Sequence, residues 1–293
     1  MRIGAVLVLI AAAIPAFQGG ELTGPQLIAN GRLEEALTFY RTAAGASPTS
    51  VAANNGMGVV LDLLARYPEA QTWFTRSINA ARTPLERALA QRAMAISHGF
   101  AGDCRGAEKY ETSAYDFYLR TADFYNAGEV ADELGRLCLD NGDLNRAAEW
   151  YQKGNAAGLN QPDIPVDRKD LWNVRLAHAK ARIAARRGKI AEARKYVSQT
   201  RAILDKGTNP AQEEYFPYLT GYVAFYAGDY PAALAALQLA NLQDPFIQCL
   251  IARTYEALGN REKSLEYYRM AASSPAHSVP AAYARPFAAR KLH

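Results

Sequence analysis

The chain has 293 residues, of which 49% are hydrophobic and 21% charged, and its net charge is +4. Lysine and arginine form no cluster interleaved with aromatic residues, so the sequence gives no support for nucleic-acid binding. The length would suit two ordinary domains, but internal repeats in the sequence favour one elongated domain instead.

Residues 1–16 are predicted to be a secretory signal peptide. Arg2 supplies the positive charge, residues 3–14 are apolar without interruption, and Ala16 ends a small-residue cleavage site. The apolar run is shorter than the roughly 20 residues needed to span a bilayer. We therefore expect an exported protein, periplasmic or extracellular, with no stable membrane span after cleavage. An uncleaved N-terminal anchor, or a buried helix of a first repeat, is the alternative.

A pattern recurs seven times from residue 31 onward: a small residue, then Ala or Ser five places later, then usually an apolar residue nine places later. The copies begin at Gly31, Ala65, Gly102, Gly142, Gly188, Gly228 and Gly259, with steps of 34, 37, 40, 46, 40 and 31 residues. Self-similarity at this period is typical of a helical solenoid, in which each unit packs against its neighbours. The expected fold is therefore all-α, with one solenoid over residues 17–275.

Each unit is predicted to be a helix, a tight turn and a second helix. The turn glycine can end the first helix in the left-handed conformation, and the Asp or Asn that often follows is a good N-cap. Buried alanines are expected where the second helix crosses its neighbour: Ala36, Ala70, Ala107, Ala147, Ala193 and Ala233. A small residue seven places before the turn should let the two helices approach closely: Gly24, Gly58, Ala95, Gly135, Ala181, Gly221 and Ala252.

At these positions the chain resembles the tetratricopeptide repeat (TPR) family, whose unit has matching small residues, an aromatic residue on the second helix and a terminal Pro. The resemblance is weaker in two units, where Glu111 occupies the aromatic position and Lys180 an apolar one. It implies a right-handed superhelical solenoid of about seven antiparallel helix-turn-helix repeats. The expected units are 21–50, 51–84, 88–126, 128–162, 171–207, 214–245 and 246–275, followed by a capping helix or tail at 276–293.

In TPR-like solenoids the first helices line the concave surface, where ligands usually dock. The resemblance therefore implies ten partner-binding residues: Asp132, Arg136, Arg175, Arg182, Arg186, Tyr215, Tyr218, Tyr222, Tyr226 and Arg253. Arg pairs well with carboxylates, and both Arg and Tyr are enriched at binding hot spots. Two alternatives stay open, namely that the tyrosines pack as core and that the arginines form a solvated face.

Some TPR domains hold a terminal carboxylate with a clamp of two Lys, two Asn and one Arg. The matching positions here are Glu21, Pro25, Gly56, Leu89 and Ala93, so that clamp is absent. The sequence also has no metal-ligand spacing, no phosphate-binding glycine loop and no catalytic motif. We therefore expect neither an enzyme nor a cofactor.

The chain has three cysteines, at positions 104, 138 and 249. Cys104 begins a second helix and Cys138 ends the next first helix, so a disulfide between them is one interpretation in an exported protein. Free cysteine is commonly buried, and we expect all three to be small core residues.

The sequence favours an exported, non-enzymatic scaffold that binds a protein or peptide on its concave surface, in cell-envelope assembly or organisation. The alternative is a binding module for a small ligand or glycan on the tyrosine-rich helix 214–227. A long open groove at this helix would favour a peptide, whereas a closed pocket would favour a small molecule. The pattern does not indicate an oligomeric state.

Overall fold

The computed structural model describes residues 22–293, so the predicted signal peptide lies outside the described residues. All regular secondary structure in this range is helical. The helices are α1 (Gly24–Ala29), α2 (Leu33–Ala46), α3 (Val51–Leu63), α4 (Tyr67–Ala80), α5 (Pro84–Phe100), α6 (Cys104–Arg120), α7 (Phe124–Asn141), α8 (Leu144–Leu159), α9 (Val166–Arg186), α10 (Ile190–Leu204), α11 (Phe216–Tyr226), α12 (Tyr230–Leu237), α13 (Pro245–Ala257), α14 (Arg261–Ala272) and α15 (Val279–Lys291), with a 3₁₀ helix (Pro210–Tyr215) before α11.

The first fourteen helices pair into seven units, from α1–α2 to α13–α14, and successive helices pack side by side. The chain is therefore the helical solenoid that the repeat predicts. The longer period of the middle units comes from longer helices, since α5 and α6 have 17 residues, α7 has 18 and α9 has 21, against 13 in α3.

The turns within the units have the predicted geometry. Gly142 ends α7 in the left-handed region, with φ of 92°, and Asp143 then accepts a hydrogen bond of 3.0 Å from the backbone N–H of Arg146. This carboxylate satisfies one of the orphan donors at the start of α8. In unit 2 the turn residue is Ala65, which adopts φ of 59° without being glycine.

The packing inside each unit follows from its small residues. All six predicted alanines of the second helices are fully buried. On the first helices, a Cβ atom added to Gly58 would lie 2.7 Å from the Phe74 ring, and one added to Gly221 would lie 2.6 Å from Leu237. Because real Cβ atoms do not come this close, the glycines are what allows the large residue of the second helix to reach the first helix.

Unit 3 departs from the pattern at Glu111, which occupies the position of the buried aromatic residue. The side chain is completely buried, and neither carboxylate oxygen has a hydrogen-bond partner among the described residues. Burial, reinforced by the nearby Glu133, raises the pKa of Glu111 well above its usual value. Burial inside the solenoid therefore favours the neutral form of this carboxyl group over the charged form.

A disulfide joins units 3 and 4. Cys104 and Cys138 are bonded, with their Cα atoms 4.9 Å apart, whereas Cys249 is a buried free thiol. The expectation of three unpaired core cysteines was therefore wrong for two of them. Because α6 and α7 are antiparallel, the start of α6 lies beside the end of α7, and this brings the two sulfur atoms together.

The C-terminal helix reaches much further than the last unit. α15 packs on α13 and α14, and also against α5 and α7 of units 3 and 4. Nε2 of His277 lies 2.8 Å from a carboxylate oxygen of Asp62, and Arg285 donates a hydrogen bond of 2.6 Å to the carbonyl oxygen of Leu63. The chain therefore returns from unit 7 to the end of α3, across the surface formed by the first helices, which we call the inner surface.

Small residues explain how α15 fits among several helices. Ala281, Ala282, Ala284 and Ala288 have almost no exposed area. Small side chains let helices approach closely from more than one side, and a helix with buried residues on several sides belongs to the interior of a protein. α15 thus fills part of the inner surface that would otherwise form an open groove.

A candidate binding cavity on the inner surface

A cavity of about 420 Å³ remains on the inner surface, between units 4, 5 and 6 and the start of α15. We call it the inner cavity. Its walls come from α7, α9 and α11, from the 3₁₀ helix, and from Val279 and Pro280 at the beginning of α15. Six of the ten predicted partner-binding residues line it: Asp132, Arg136, Arg175, Arg182, Tyr215 and Tyr218.

The other four predicted residues lie outside the cavity, in a layer of aromatic rings under α15. Arg186 lies 5.5 Å from the ring centre of Tyr226, and Arg253 lies 5.3 Å from that of Phe287 on α15. Tyr222 is completely buried between the rings of Tyr226 and Phe246. These residues therefore help to hold α15 against the solenoid.

The expectation of a tyrosine stripe open to a ligand needs correction. Tyr218 is 6% exposed and Tyr222 is not exposed at all, whereas Tyr215 on the 3₁₀ helix is 47% exposed. The two inner tyrosines belong to the core because Phe246 of α13 packs on both of them, with ring centres 5.9 Å and 6.3 Å away. Of these three tyrosines, Tyr215 alone is exposed at the cavity.

One wall of the cavity is acidic. Arg175 forms an ion pair with Glu129, and the same guanidinium lies 3.9 Å from Asp132. Burial raises the pKa of Asp132 to about 7, and the opposing effect of Arg175 is smaller. Glu133, on the same helix, is held by Arg92 at 2.6 Å. The acidic groups on this wall are thus either paired with arginine or partly protonated near neutral pH.

Two further arginines line the cavity, Arg136 on α7 and Arg182 on α9. Arg136 pairs with Asp140 at 2.6 Å, and Arg182 donates a hydrogen bond of 2.9 Å to the hydroxyl of Tyr151. His178 lines the cavity from α9, and burial together with the two guanidinium groups lowers its pKa well below the usual value. His178 is therefore neutral at physiological pH, and the positive charge here comes from the arginines.

Sequence reasoning missed part of the lining. Tyr151 lies on a second helix, where the repeat predicts a core residue, and its hydroxyl nevertheless bonds Arg182 at the cavity. Val279 and Pro280 come from the tail, which the repeat pattern places only at the last unit. Neither contribution has a signal in the local sequence, because each depends on a contact between distant parts of the chain.

No helix within residues 22–293 is both long enough and apolar enough to cross a bilayer. The same residues contain no group of three or more His, Cys, Asp or Glu side chains placed to hold a metal ion.

Comparisons with known proteins agree with the observed architecture. A family model described as tetratricopeptide repeat matches residues 247–274, which is unit 7. No curated protein sequence matches the chain. The fold is similar to that of RapI in its apo form, with a TM-score of 0.55, 13% identity and coverage of 86% of this chain and 94% of that one.

A second solved structure with a similar fold is a tetratricopeptide repeat protein from Parabacteroides merdae ATCC 43184. Its TM-score is 0.51 and its identity 12%, and the alignment covers 90% of this chain and 96% of the other. Identities this low carry information about the fold alone. Unit 7 therefore matches a tetratricopeptide repeat, and the whole solenoid is similar in fold to these two solved structures.

Proposed function

We propose that this protein is a non-enzymatic scaffold that receives a segment of a partner protein in the inner cavity. The observation that carries the proposal is the convergence of arginine and tyrosine side chains from units 4, 5 and 6 on one concave site. Clustered Arg and Tyr residues in a partly desolvated pocket are typical of protein-binding hot spots. A helical-repeat fold is also a common framework for such concave binding surfaces.

The proposed place of action is the cell envelope or another compartment outside the cytoplasm, after export through the signal at residues 1–16. The disulfide between Cys104 and Cys138 supports this proposal, since structural disulfides persist in oxidising compartments and are rare in the cytosol. The predicted role there is to assemble or organise a complex through the bound segment.

A small ligand is a second candidate, and the limited size of the cavity favours it. A volume of about 420 Å³ lies within the range of roughly 300–1,000 Å³ that is usual for small-molecule sites. Because α15 fills much of the inner surface, a partner segment would be limited to a few residues. A glycan stacked along the tyrosine helix is not favoured, since Tyr218 and Tyr222 are buried.

Site-specific photocrosslinking in the native host tests the proposal. A benzoylphenylalanine residue in place of Tyr215, which is 47% exposed at the cavity, should form an adduct with the partner. The matched control replaces Leu239, which is 77% exposed and does not line the cavity. Adducts from position 215 alone support the proposed site, and equal adducts from both positions, or none from 215, contradict it.

A second measurement separates the two candidates. Native mass spectrometry of protein purified from its host would reveal a retained small molecule as an added mass. A stable added mass without a protein adduct at position 215 would favour the small-ligand function. Fractionation of the host cells and N-terminal sequencing of the mature chain would test the proposed export, with a start after Ala16 as the expected result.

A further inference from the structure

We propose that Arg182, Arg136 and Tyr218 form a binding site for a carboxylate group at the floor of the inner cavity. The inference rests on the proposed function and deepens it, since it names the chemical group that the bound segment presents. The occupant is an aspartate or glutamate side chain of that segment, and a free organic acid would offer the same chemistry.

The first observation is a buried cation with unused donors. Arg182 is only 5% exposed, and its Nη2 donates to the hydroxyl of Tyr151 at 2.9 Å. Its Nε and Nη1 have no hydrogen-bond partner among the described residues, although the side chain lines the cavity. A buried charged donor without a partner is costly, so native structures normally supply one. Here the open space beside the guanidinium is the cavity.

The second observation is that other unused donors lie nearby. Nη2 of Arg136 and the hydroxyl of Tyr218 are also buried and unpartnered among the described residues. The centre of the Tyr218 ring is 5.7 Å from the Cζ of Arg136 and 5.9 Å from that of Arg182. The three side chains are therefore neighbours in the lining of the cavity.

The third observation concerns charge. The guanidinium of Arg136 is neutralised by Asp140 at 2.6 Å. Arg182 has only the tyrosine hydroxyl as a bonded partner, and no carboxylate among the described residues forms an ion pair with it. Asp132 interacts electrostatically with Arg182, and Asp244 with Arg136, but neither carboxylate is bonded to these arginines. An incoming carboxylate would give Arg182 the directly bonded anion that it lacks.

The charge of the cavity favours a carboxylate over a phosphate group. The unpartnered Nε and Nη1 groups of Arg182 are charged N–H donors, and a carboxylate oxygen can accept a charge-assisted hydrogen bond from such a donor. The lining of the cavity also includes five acidic residues: Glu129, Asp132, Glu133, Glu214 and Asp244. These residues would repel a doubly charged phosphate more strongly than a singly charged carboxylate.

The test uses two probes of this chemistry on the full mature chain. The first is sodium butyrate, and the second is the peptide acetyl-Gly-Glu-Gly-amide, so that a free acid and a peptide side chain are measured separately. Isothermal titration calorimetry at constant ionic strength, adjusted with sodium chloride, removes the general effect of salt. We expect a dissociation constant on the order of 1 mM for at least one probe. Butyramide and the Gln peptide, which are neutral, should not bind.

Variants on α9 and its C-cap locate the binding. Arg182→Met should weaken binding at least ~10-fold, because charge-assisted hydrogen bonds are lost. The matched control is Arg187→Met, which removes an exposed arginine that bonds Asn145 outside the cavity and should leave the affinity unchanged. If Arg182→Met does not fold, Arg182→Lys keeps the charge without the planar fork and should still weaken binding ~10-fold.

Two results would overturn the inference: no binding of either carboxylate by the wild type, or equal binding by the Arg182 and Arg187 variants. Either result, obtained with a clear photocrosslink at position 215, would leave the proposed function intact while removing the carboxylate site. Specific binding of butyrate without any crosslinked protein would support the site and would contradict the protein-partner function.

Discussion

Removal of the disulfide between units 3 and 4 should lower the stability of the solenoid by an amount that the loop length sets. The bond closes a loop with a sequence separation of 34 residues. In the chain-entropy treatment, a loop of this length removes about 12.6 cal/mol/K from the unfolded state, which corresponds to about 3.8 kcal/mol at 25 °C. The perturbation is the double substitution Cys104→Ala and Cys138→Ala.

This free energy translates into a shift of the melting temperature. The entropy of unfolding is about 2.1 cal/mol/K per residue, or roughly 0.57 kcal/mol/K for a chain of about 270 residues. A loss of about 3.8 kcal/mol should therefore lower Tm by roughly 7 °C if the solenoid unfolds in one transition. The helical content at low temperature should not change, because the helices do not depend on the bond.

Circular dichroism at 222 nm during thermal unfolding measures the shift. Cys249→Ala is the matched control, since it removes the same sulfur atom from a buried position without opening a loop. Wild-type protein that has been reduced under denaturing conditions and refolded with reductant should melt like the double variant. Mass spectrometry after alkylation should find one modified cysteine before reduction and three after it.

The reasoning is refuted if the reduced and oxidised proteins melt within about 2 °C of each other, because the entropic effect of the closed loop would then be absent. It is also refuted if Cys249→Ala costs as much as the double variant. In that case the loss would come from packing of the sulfur atoms rather than from the cross-link.

Three further predictions concern buried charge and the tail. Since burial raises the pKa of Asp132 to about 7, the folded protein retains a proton that the unfolded chain releases, so this group's contribution to stability is lost as pH rises from about 4 to 7. Asp132→Asn should remove up to about 4 kcal/mol of this pH dependence, and somewhat less because the side chain is 17% exposed and solvent screens its charge. Urea unfolding at pH 4.5 and 7.5 measures the effect; an equal change in unfolding free energy between the two pH values in the wild type and the variant would contradict it. Glu111→Met should raise the free energy of urea unfolding at pH 7 by about 1–3 kcal/mol, because it removes two unpartnered buried oxygens; a destabilised variant would show that an unrecognised partner holds this group. Deletion of residues 276–293 should lower Tm and split the unfolding transition, since α15 ties units 3 and 4 to unit 7; a single unshifted transition in calorimetry would oppose this.

The helix-turn-helix units could be predicted from the sequence because the residues that determine each turn and each helix crossing lie close together along the chain. A turn glycine such as Gly142 supplies the left-handed conformation of the turn, and the alanine five places later is small enough to be buried where the second helix crosses its neighbour. These conditions repeat in every unit, so a single weak signal is reinforced seven times. The all-helical solenoid fold and the burial of the predicted alanines were confirmed for this reason.

The part that could not be predicted depends on the path of the tail. The spacing of Tyr218 and Tyr222 on α11 fits both a groove and a core, and the choice is made by Phe246 and by the aromatic layer under α15. Nothing near residue 222 in the sequence records where residues 279–291 will lie. The sequence therefore predicted the arginines that line the cavity, but it did not predict the size of the cavity or the burial of Tyr218 and Tyr222.

The return of the tail to Asp62 has a consequence for biosynthesis. Asp62 and His277 are 215 positions apart, and a ribosome adding 5–20 residues per second needs roughly 10–40 s to make the intervening chain. During that interval the nascent units 2 to 4 have their helices but lack the segment that covers their inner side. An ordinary repeat array can mature from its N-terminus as it emerges, whereas this chain reaches its final form only when its last helix has been released.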